Sequence, residues 1–425
     1  FEKNFVDAMK ISHDEDYHNV LQTTADFIDA MPACNKLSAL ITRGYGIIAP
    51  LNFVIKKSPL AVFPYLYLYG AKGTSKTEIA KVSATYMYGE RDCLLSDSVE
   101  SPFRLLMAFS ATTCPRVIDE ANDCLTKYQS ILKSAATSTM AGNRGTKDRE
   151  MNSYPAFSSF IFTSNIIPIA PEEDAQGAVM DRIIMVDCRS GVDFKKEQYQ
   201  QTTRILNSKS FVLGKHVLEH LRTVIDGDNY NIFINDLIRL QNKIQDHDLT
   251  IQLRRAYCVA IIVKGIQIYY ELLNAEKIKV PIEYLDEDNL ITAIYNAVQY
   301  NSKSSELQNM MNFMQFVSNN CISAQYKDIN SFGIYIPAIT KTKAQYDIEG
   351  NIIANEKIEI QEERTVLVTK MALQKYMQFS HLQKKPYGNL EEVCRDLGMI
   401  GINVEVKMRK DESNRSFWAF KISLN

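Results

Sequence analysis

Residues 65–80 combine a β-rich run, a glycine-containing turn and the start of a helix, with a lysine and a threonine where the turn meets the helix. Such a turn directs backbone N–H groups toward an anion, and the helix dipole favours negative charge there. In the pattern G-x-x-x-x-G-K-[ST], the lysine reaches the β- and γ-phosphates of a nucleotide and the hydroxyl binds Mg²⁺. The segment predicts an ATP-binding loop made of Gly70, Ala71, Lys72, Gly73, Thr74, Ser75, Lys76 and Thr77.

Ser75 stands where this pattern has its second glycine. A small residue that already enters the helix needs no positive φ angle, so serine is sterically acceptable at this position. The alternative interpretation of the whole segment is a glycine-rich turn that only caps a helix.

Two carboxylates follow the next predicted strand, which covers residues 116–118. Asp119 would hold Mg²⁺ through water, and Glu120 would orient and polarise the attacking water. The spacing from Thr77 leaves room for one strand–helix unit and a second helix. The alternative is an Asp-Glu pair that begins a helix after a buried strand.

Two further polar residues stand at the ends of predicted strands. Asn165 follows an apolar run at 160–164, where its amide would hydrogen-bond the γ-phosphate and the attacking water; a turn asparagine is the alternative. Arg182 directly precedes the apolar run 183–186. It is predicted to be an arginine finger that stabilises transition-state charge on ATP bound by a neighbouring subunit, with a surface salt bridge as the alternative. Glu120, Asn165 and Arg182 form the predicted catalytic set.

The elements that must position these side chains follow from hydrophobic periodicity. Residues 61–200 alternate short apolar runs with helical stretches, which is typical of an α/β fold with a largely parallel sheet. Apolar residues recur at helical spacing in 1–60 and over much of 201–330. Residues 331–425 mix strands and helices. We predict, in this order, an N-terminal helical, collar-like region, an α/β ATPase core, a helical domain and an α+β C-terminal domain.

The C-terminal region permits a winged-helix arrangement. A helix is predicted through Val366, Val368 and Met371, a second helix over 390–397, and two strands joined by the basic segment 407–415. A basic hairpin beside two helices suits contact with a DNA backbone. A protein-docking domain of the same shape is the alternative.

Composition limits the classes of protein. The chain has 425 residues, 46% of them hydrophobic and 23% charged, which is typical of a globular protein and excludes a disordered or collagen-like chain. Its 48 basic and 50 acidic residues give a net charge of −2. That balance excludes a histone-like coating mode of nucleic-acid binding and leaves a locally basic channel open.

The cysteines and the apolar runs indicate in which cellular compartment the protein is expected. The eight cysteines form no C-x-x-C pair, which disfavours a zinc ribbon or a disulfide framework and fits a reducing, cytoplasmic environment. No signal peptide is visible, and the missing initiating Met predicts a piece of a longer polypeptide. The run 151–171 contains Ser, Asn, Thr and Pro, which are costly in lipid, so we expect no membrane partner.

The order of these motifs between residues 40 and 190 resembles the helicase module of viral and plasmid primase-helicases, which are superfamily 3 helicases of the AAA+ class. It is also similar to the minichromosome maintenance helicases, which share a non-glycine residue before the loop lysine. The resemblance implies a ring hexamer, ATP hydrolysis at subunit interfaces, translocation on single-stranded or forked DNA, and a primase-polymerase preceding or accompanying this chain. It also places a pore hairpin at 141–149, where Arg144 and Lys147 are the predicted DNA contacts; an exposed polar turn is the alternative.

The motifs leave four functions open. The leading one is an ATP-dependent DNA helicase. The others are a non-unwinding AAA+ ATPase (an initiator, a loader or a packaging motor), a P-loop small-molecule kinase, and a DNA-binding module without enzymatic activity. Residues His216, Glu219 and His220 also match a zinc-peptidase pattern, but an amphipathic helix explains their spacing without a metal.

Overall fold

The computed structural model of the protein describes residues 15–59, 61–70, 72–89, 94–95, 99, 101–121, 124–145, 151–165, 179, 181–189, 191, 193–248, 251–280 and 286–298, and six strands between 334 and 424. The chain divides into two compact units, Phe1–Asn301 and Ser302–Asn425.

A five-stranded parallel sheet organises the first unit. Its strands are β1 (Tyr65–Tyr69), β2 (Leu94–Leu95), β3 (Arg116–Asp119), β6 (Phe160–Ser164) and β7 (Ile183–Asp187), in the spatial order β2-β3-β6-β1-β7. Every neighbouring pair is parallel. All five residues of β6 are buried, as expected for a central strand covered on both faces. The sheet confirms the predicted α/β class and the four strands predicted from apolar runs.

Helices surround this sheet and supply most of the remaining core. The described helices are α1 (Glu15–Ala30), α2 (Ala33–Ile48), α3 (Asn52–Ile55), α4 (Lys76–Ala80), α5 (Pro102–Ser110), α6 (Cys124–Lys127), α7 (Gln129–Thr137), α8 (Lys196–Lys209), α9 (Phe211–Ile225), α10 (Asn229–His247), α11 (Leu253–Ala275) and α12 (Glu287–Val298). The sequence explains why α5 starts where it does. The Ser101 side chain caps the helix by accepting a hydrogen bond from the Arg104 N–H, and Pro102 occupies the first turn.

The helices α2 and α11 are the most deeply buried. The segments Ala33–Ile55 and Leu253–Ala275 are long and apolar enough to cross a membrane by length and composition, but 89% and 78% of their apolar windows are buried inside this protein. The two helices touch at paired glycines, where a Cβ on Gly265 would lie 2.2 Å from the Gly44 carbonyl oxygen. Burial within the fold explains their apolar composition.

One hydrophobic core joins the regions that were predicted separately. Residues of α1, α2, the sheet, α9, α10, α11 and α12 belong to one cluster of buried side chains. Within the first unit, the predicted boundaries at 60 and 200 are therefore places where helices give way to alternating strands and helices, or the reverse. The residues on both sides of each boundary share one core. Among the described residues, Cys34, Cys188 and Cys258 form no disulfide.

A β-hairpin stands beside the sheet. It is formed by β4 (Met140–Gly145) and β5 (Met151–Pro155), which pair antiparallel, and α5 packs against it through a ring contact between Phe103 and Tyr154. The hairpin occupies the segment for which the sequence predicts a pore hairpin.

The second unit contains antiparallel strands. A four-stranded sheet has the order β12-β13-β11-β8, from β12 (Ile402–Lys410), β13 (Ser416–Leu424), β11 (Thr365–Val368) and β8 (Ile334–Tyr335), and β9 (Ala338–Tyr346) pairs with β10 (Ile352–Gln361). The predicted strands around 402–406 and 417–422 are confirmed. The helix predicted through Val366 and Val368 is wrong, since both lie in β11 paired with β13. Met371 and the second predicted helix lie outside the described residues.

Candidate functional site

The loop between β1 and α4 has the backbone conformation of an anion cradle. Gly70 and Gly73 have φ angles of 149° and 86°, which favour glycine, and a Cβ on Gly70 would lie 2.0 Å from the Cys188 carbonyl oxygen. The loop enters α4 at Lys76, and the helical path continues through a π turn to Tyr88. Successive N–H groups in such a turn form a concave site for anions. Ala71 of the predicted loop lies outside the described residues.

Ser75 differs from its prediction. Its φ and ψ angles are 64° and 15°, so it is left-handed, and the expectation that no positive φ is needed there is wrong. The physical reason is that the loop must reverse immediately before α4, and the left-handed region makes that reversal in one residue. A residue with a Cβ pays about 1–2 kcal/mol for this conformation.

The predicted residues from three separate strand ends meet in one cavity of about 390 Å³. The Lys76 Nζ donates hydrogen bonds to Asn165 Oδ1 at 3.2 Å and to Thr74 Oγ1 at 3.4 Å. A cavity of this size falls within the range of small-molecule sites. Its lining residues are Lys72, Gly73, Ser75, Lys76, Thr77, Glu78, Asp119, Glu120, Thr163, Ser164 and Asn165.

The strand order explains why Asn165 reaches Lys76. Strand β6 lies between β1 and β3, so its carboxyl end stands between the loop lysine and the two carboxylates. In parallel sheets, ligands bind at the carboxyl ends of the strands. The sheet thus brings Lys76 and Asn165, which are nearly ninety positions apart in the chain, into direct contact.

Asp119 is the centre of a hydroxyl–carboxylate cluster. Its Oδ1 accepts a hydrogen bond from Thr77 Oγ1 at 3.0 Å and a second from the Thr163 hydroxyl. Thr163 has no assigned role in the sequence-based prediction, although its position two residues before Asn165 places it on the same strand end. The two predicted Mg²⁺ ligands, Thr77 and Asp119, are in direct contact. An oxygen pair of this kind suits Mg²⁺, which is usually held by one or two carboxylates together with phosphate oxygens and water.

Glu120 lies at the mouth of the cavity with a left-handed backbone, φ 53°. Its side chain is exposed, and the next residue, Ala121, donates its N–H to the Thr163 carbonyl at 2.9 Å. Non-glycine residues in this region of φ/ψ space concentrate at functional sites. Two such residues, Ser75 and Glu120, line this cavity.

Two lysines and three carboxylates line the cavity, and Lys76 is its buried cation. Lys76 is only 6% exposed, and burial lowers the pKa of its ammonium, while Cys188 and Asp119 act in the opposite direction. A buried cation that faces carboxylates and backbone donors is matched to a ligand that brings negative charge of its own.

Arg182 does not occupy the predicted surface position. It precedes β7, whose first residue pairs with Tyr65, so it lies at the sheet edge opposite the cavity. Its side chain is 4% exposed, and its Nε and Nη1 have no hydrogen-bond partner among the described residues. Burial and the neighbouring Arg254 lower its pKa. The expected exposed arginine finger is therefore not found, and we leave Arg182 out of the catalytic set.

The predicted DNA contacts are described only in part. Arg144 lies in β4 opposite Asn152 of β5, and Lys147 lies outside the described residues. Strands β4 and β5 pair antiparallel in the segment where the family resemblance places a pore hairpin, and the residues that join them lie outside the described ones.

The two histidines of the zinc-peptidase pattern, His216 and His220, do not share a metal site. His216 stacks on Tyr17 at 3.9 Å, and His220 contacts Glu271 at 3.4 Å, which leaves the two histidines in different side-chain pairs. Within the described part of the chain, no group of three or more His, Cys, Asp or Glu side chains could hold a metal ion.

Comparisons with known proteins give limited help. No protein-family model matches the chain, and no curated protein is similar to it. Among solved structures, the SCCmec type IV Cch active helicase matches with a TM-score of 0.45 and 14% identity, covering 90% of this chain and 67% of that one. The A form apo structure of the NrS-1 C-terminal region matches with a TM-score of 0.28 and 13% identity, covering 92% of this chain and 76% of that one.

Proposed function

We propose that this protein binds ATP with Mg²⁺ and hydrolyses it in the cavity at the carboxyl edge of the sheet. The observation that carries this proposal is the convergence of Lys76, Thr77, Asp119, Glu120 and Asn165 on one cavity. These residues come from three strand ends, and each has the chemistry that phosphoryl transfer requires. A helix cap or a structural ion pair would not need all five together.

Each residue has a role that follows from its position. The N–H groups of the loop and the Lys76 ammonium bind the β- and γ-phosphates. Glu120, exposed at the cavity mouth, orients the attacking water and accepts its proton. Asn165, which already bonds Lys76, hydrogen-bonds the γ-phosphate and the water. Thr163 fixes the orientation of the Asp119 carboxylate.

Thr77 and Asp119 would hold Mg²⁺, which neutralises charge that develops on the phosphate oxygens. The Thr77 hydroxyl and the Asp119 carboxylate are in contact before any metal binds, so their side chains need little rearrangement.

We further propose that the ATPase is the motor of a ring-shaped DNA helicase of the AAA+ superfamily 3 type, assembled as a homo-hexamer. The order of motifs along the chain and the hairpin β4–β5 beside the sheet support this proposal. Arg144 and Lys147 would contact the phosphates of single-stranded or forked DNA. A primase-polymerase would act with it, fused or associated.

Hydrolysis is tested with the purified chain, ATP and Mg²⁺. Lys76→Ala and Glu120→Gln should each reduce phosphate release by at least about 100-fold, since electrostatic groups at such sites contribute about 10²–10³ to the rate. Lys133→Ala, which removes an exposed lysine of α7, is the matched control and should leave the rate unchanged. Hydrolysis that survives Lys76→Ala would refute the site.

Unwinding is tested on a forked DNA duplex. Strand displacement that depends on ATP and is reduced by Arg144→Ala would support the helicase. ATP hydrolysis that DNA stimulates, without strand displacement, would instead support an initiator, a loader or a packaging motor. Hydrolysis indifferent to DNA and to oligomerisation would favour a small-molecule kinase.

A further inference from the structure

The start of α2 is joined to the chain that follows β7. The Ser38 hydroxyl donates a hydrogen bond to the Asp187 carbonyl oxygen at 2.8 Å. The Asp193 carboxylate accepts a hydrogen bond from the Ala33 N–H at 2.9 Å, which satisfies one of the N–H groups that every helix leaves open at its start. The two segments are therefore fixed to each other on both sides of Asn35.

Asn35 links three segments through backbone atoms. Its buried side chain pairs with Arg189, since Nδ2 donates to the Arg189 carbonyl oxygen at 2.6 Å and Oδ1 accepts from the Arg189 N–H at 2.7 Å. The same Nδ2 donates to the Thr74 carbonyl oxygen of the phosphate loop at 3.5 Å. An amide NH₂ has two hydrogens, so both donor bonds form together. Asn35 thus joins α2, the chain after β7 and the loop.

The chain after β7 also supports the first residue of the loop. The Cys188 N–H donates to the Tyr69 carbonyl oxygen at 2.8 Å, and a Cβ on Gly70 would lie 2.0 Å from the Cys188 carbonyl oxygen. Thr74 lies near the other end of the loop, two residues before Lys76. Asn35 does not line the cavity. The loop is therefore held near both of its ends by contacts that lie outside the cavity.

We propose that Asn35 is a positioning residue of the nucleotide site, which holds the Thr74 carbonyl group and thereby directs the loop N–H groups and Lys76 at the phosphates. This inference rests on the proposed ATP site. Where the N–H groups of a loop converge on an anion, carbonyl groups of that loop point away from the anion. A carbonyl group that points into the protein needs a donor there, and Asn35 supplies it for Thr74.

The kinetic test uses Asn35→Ala, which removes all three hydrogen bonds. We expect the KM for ATP to rise about three- to tenfold while kcat changes less than about twofold, because loop positioning is lost and the chemical step is not. Asn52→Ala is the matched control, since Asn52 is an equally buried asparagine that donates to three carbonyl oxygens between β5 and β6. The control should leave KM unchanged. An unchanged KM in Asn35→Ala, or an equal rise in both variants, would overturn the proposal.

Calorimetric titration with two ligands distinguishes loop positioning from contact with the nucleoside. Magnesium tripolyphosphate carries three linked phosphates as ATP does and has no nucleoside, so Asn35→Ala should weaken its binding by the same factor as that of magnesium ATP. Asn35→Asp keeps an acceptor for the Arg189 N–H but removes both donor bonds, so it should weaken both ligands as the alanine variant does. A loss confined to ATP, or wild-type binding by Asn35→Asp, would contradict positioning through the loop.

Amide hydrogen exchange without nucleotide separates this inference from the proposed function. Peptides that contain Arg189 and the phosphate loop should exchange faster in Asn35→Ala than in the wild type, and at the wild-type rate in Asn52→Ala. If the wild-type chain binds no ATP but this difference is present, the ATP site fails and the hold of Asn35 on the loop stands. If ATP binds and neither KM nor exchange changes in Asn35→Ala, Asn35 is not a positioning residue.

Discussion

Lys56 provides the most quantitative prediction, because it is a buried cation with no carboxylate partner in the part of the chain that the structure describes. It directly follows α3, is 4% exposed, and donates hydrogen bonds from Nζ to the carbonyl oxygens of Ala135 at 2.8 Å and Ala156 at 2.7 Å. Burial lowers the pKa of Lys56 from 10.5 to about 7. The lysine joins the end of α7 to the segment that leads into β6, so it supports the strand that presents Thr163 and Asn165.

The sign and size of the pH effect follow from this pKa. Between about pH 7 and pH 10.5 the folded chain binds fewer protons at Lys56 than the unfolded chain does, so the free energy of unfolding rises with pH over that window. The full difference between the two pKa values corresponds to about 5 kcal/mol. Because the two carbonyl oxygens favour the charged ammonium, we expect about 2–5 kcal/mol in total.

The assay is urea unfolding of the wild type and Lys56→Met at about pH 7, 8 and 9. The difference in free energy of unfolding between them should shift in favour of the wild type as the pH rises, approaching about 1.4 kcal/mol per pH unit. Lys57→Met, at the exposed neighbouring lysine whose ammonium lies 4.6 Å from the Phe53 ring centroid, is the control for loss of a lysine. A wild-type minus Lys56→Met difference that is flat, or that falls with pH, would refute the reasoning.

Three further substitutions test other parts of the structure. Asp119→Asn keeps an acceptor for the Thr77 and Thr163 hydroxyls but removes the charge, so ATPase activity should fall about 10²–10³-fold while the thermal midpoint stays close to that of the wild type. Arg43→Met should raise the free energy of unfolding in urea by about 1–4 kcal/mol, since Arg43 is 1% exposed and its Nε and Nη2 lack partners within the described residues; an unchanged or lower value would contradict this. Mixing Lys76→Ala with Arg182→Ala copies should give no more ATPase activity than the Arg182→Ala copies have alone, because Arg182 is buried in its own subunit; activity above that level would reinstate it as an arginine finger.

Local patterns predicted the elements at the carboxyl edge of the parallel sheet well. The apolar run over Tyr65–Tyr69, the loop that ends at Lys76, and the carboxylates after β3 are all short-range features, since a buried parallel strand is read from its own residues. The same reasoning from local patterns gave a wrong prediction at Val366 and Val368, where it predicted a helix. A short apolar run there fits a helix or a strand equally well, and pairing with β13 decided for the strand.

The errors at Ser75 and Arg182 have a different origin. The φ angle of Ser75 depends on how the loop must turn to meet α4, which is set by the packing of the loop and not by the identity of the residue. The burial of Arg182 depends on what covers the start of β7. The hydrogen bond from the Thr163 hydroxyl to Asp119 carries no local signal, because it joins residues on two different strands.

The sequence by itself determined which residues have side chains suited to the proposed chemistry and on which kind of element most of them lie, because side-chain type and periodicity are properties of neighbouring positions. Only the tertiary structure decided the order of the strands, which inserts β6 between β1 and β3 and so brings Asn165 to Lys76. It also decided which charges are buried, since burial exists only once distant segments have packed together.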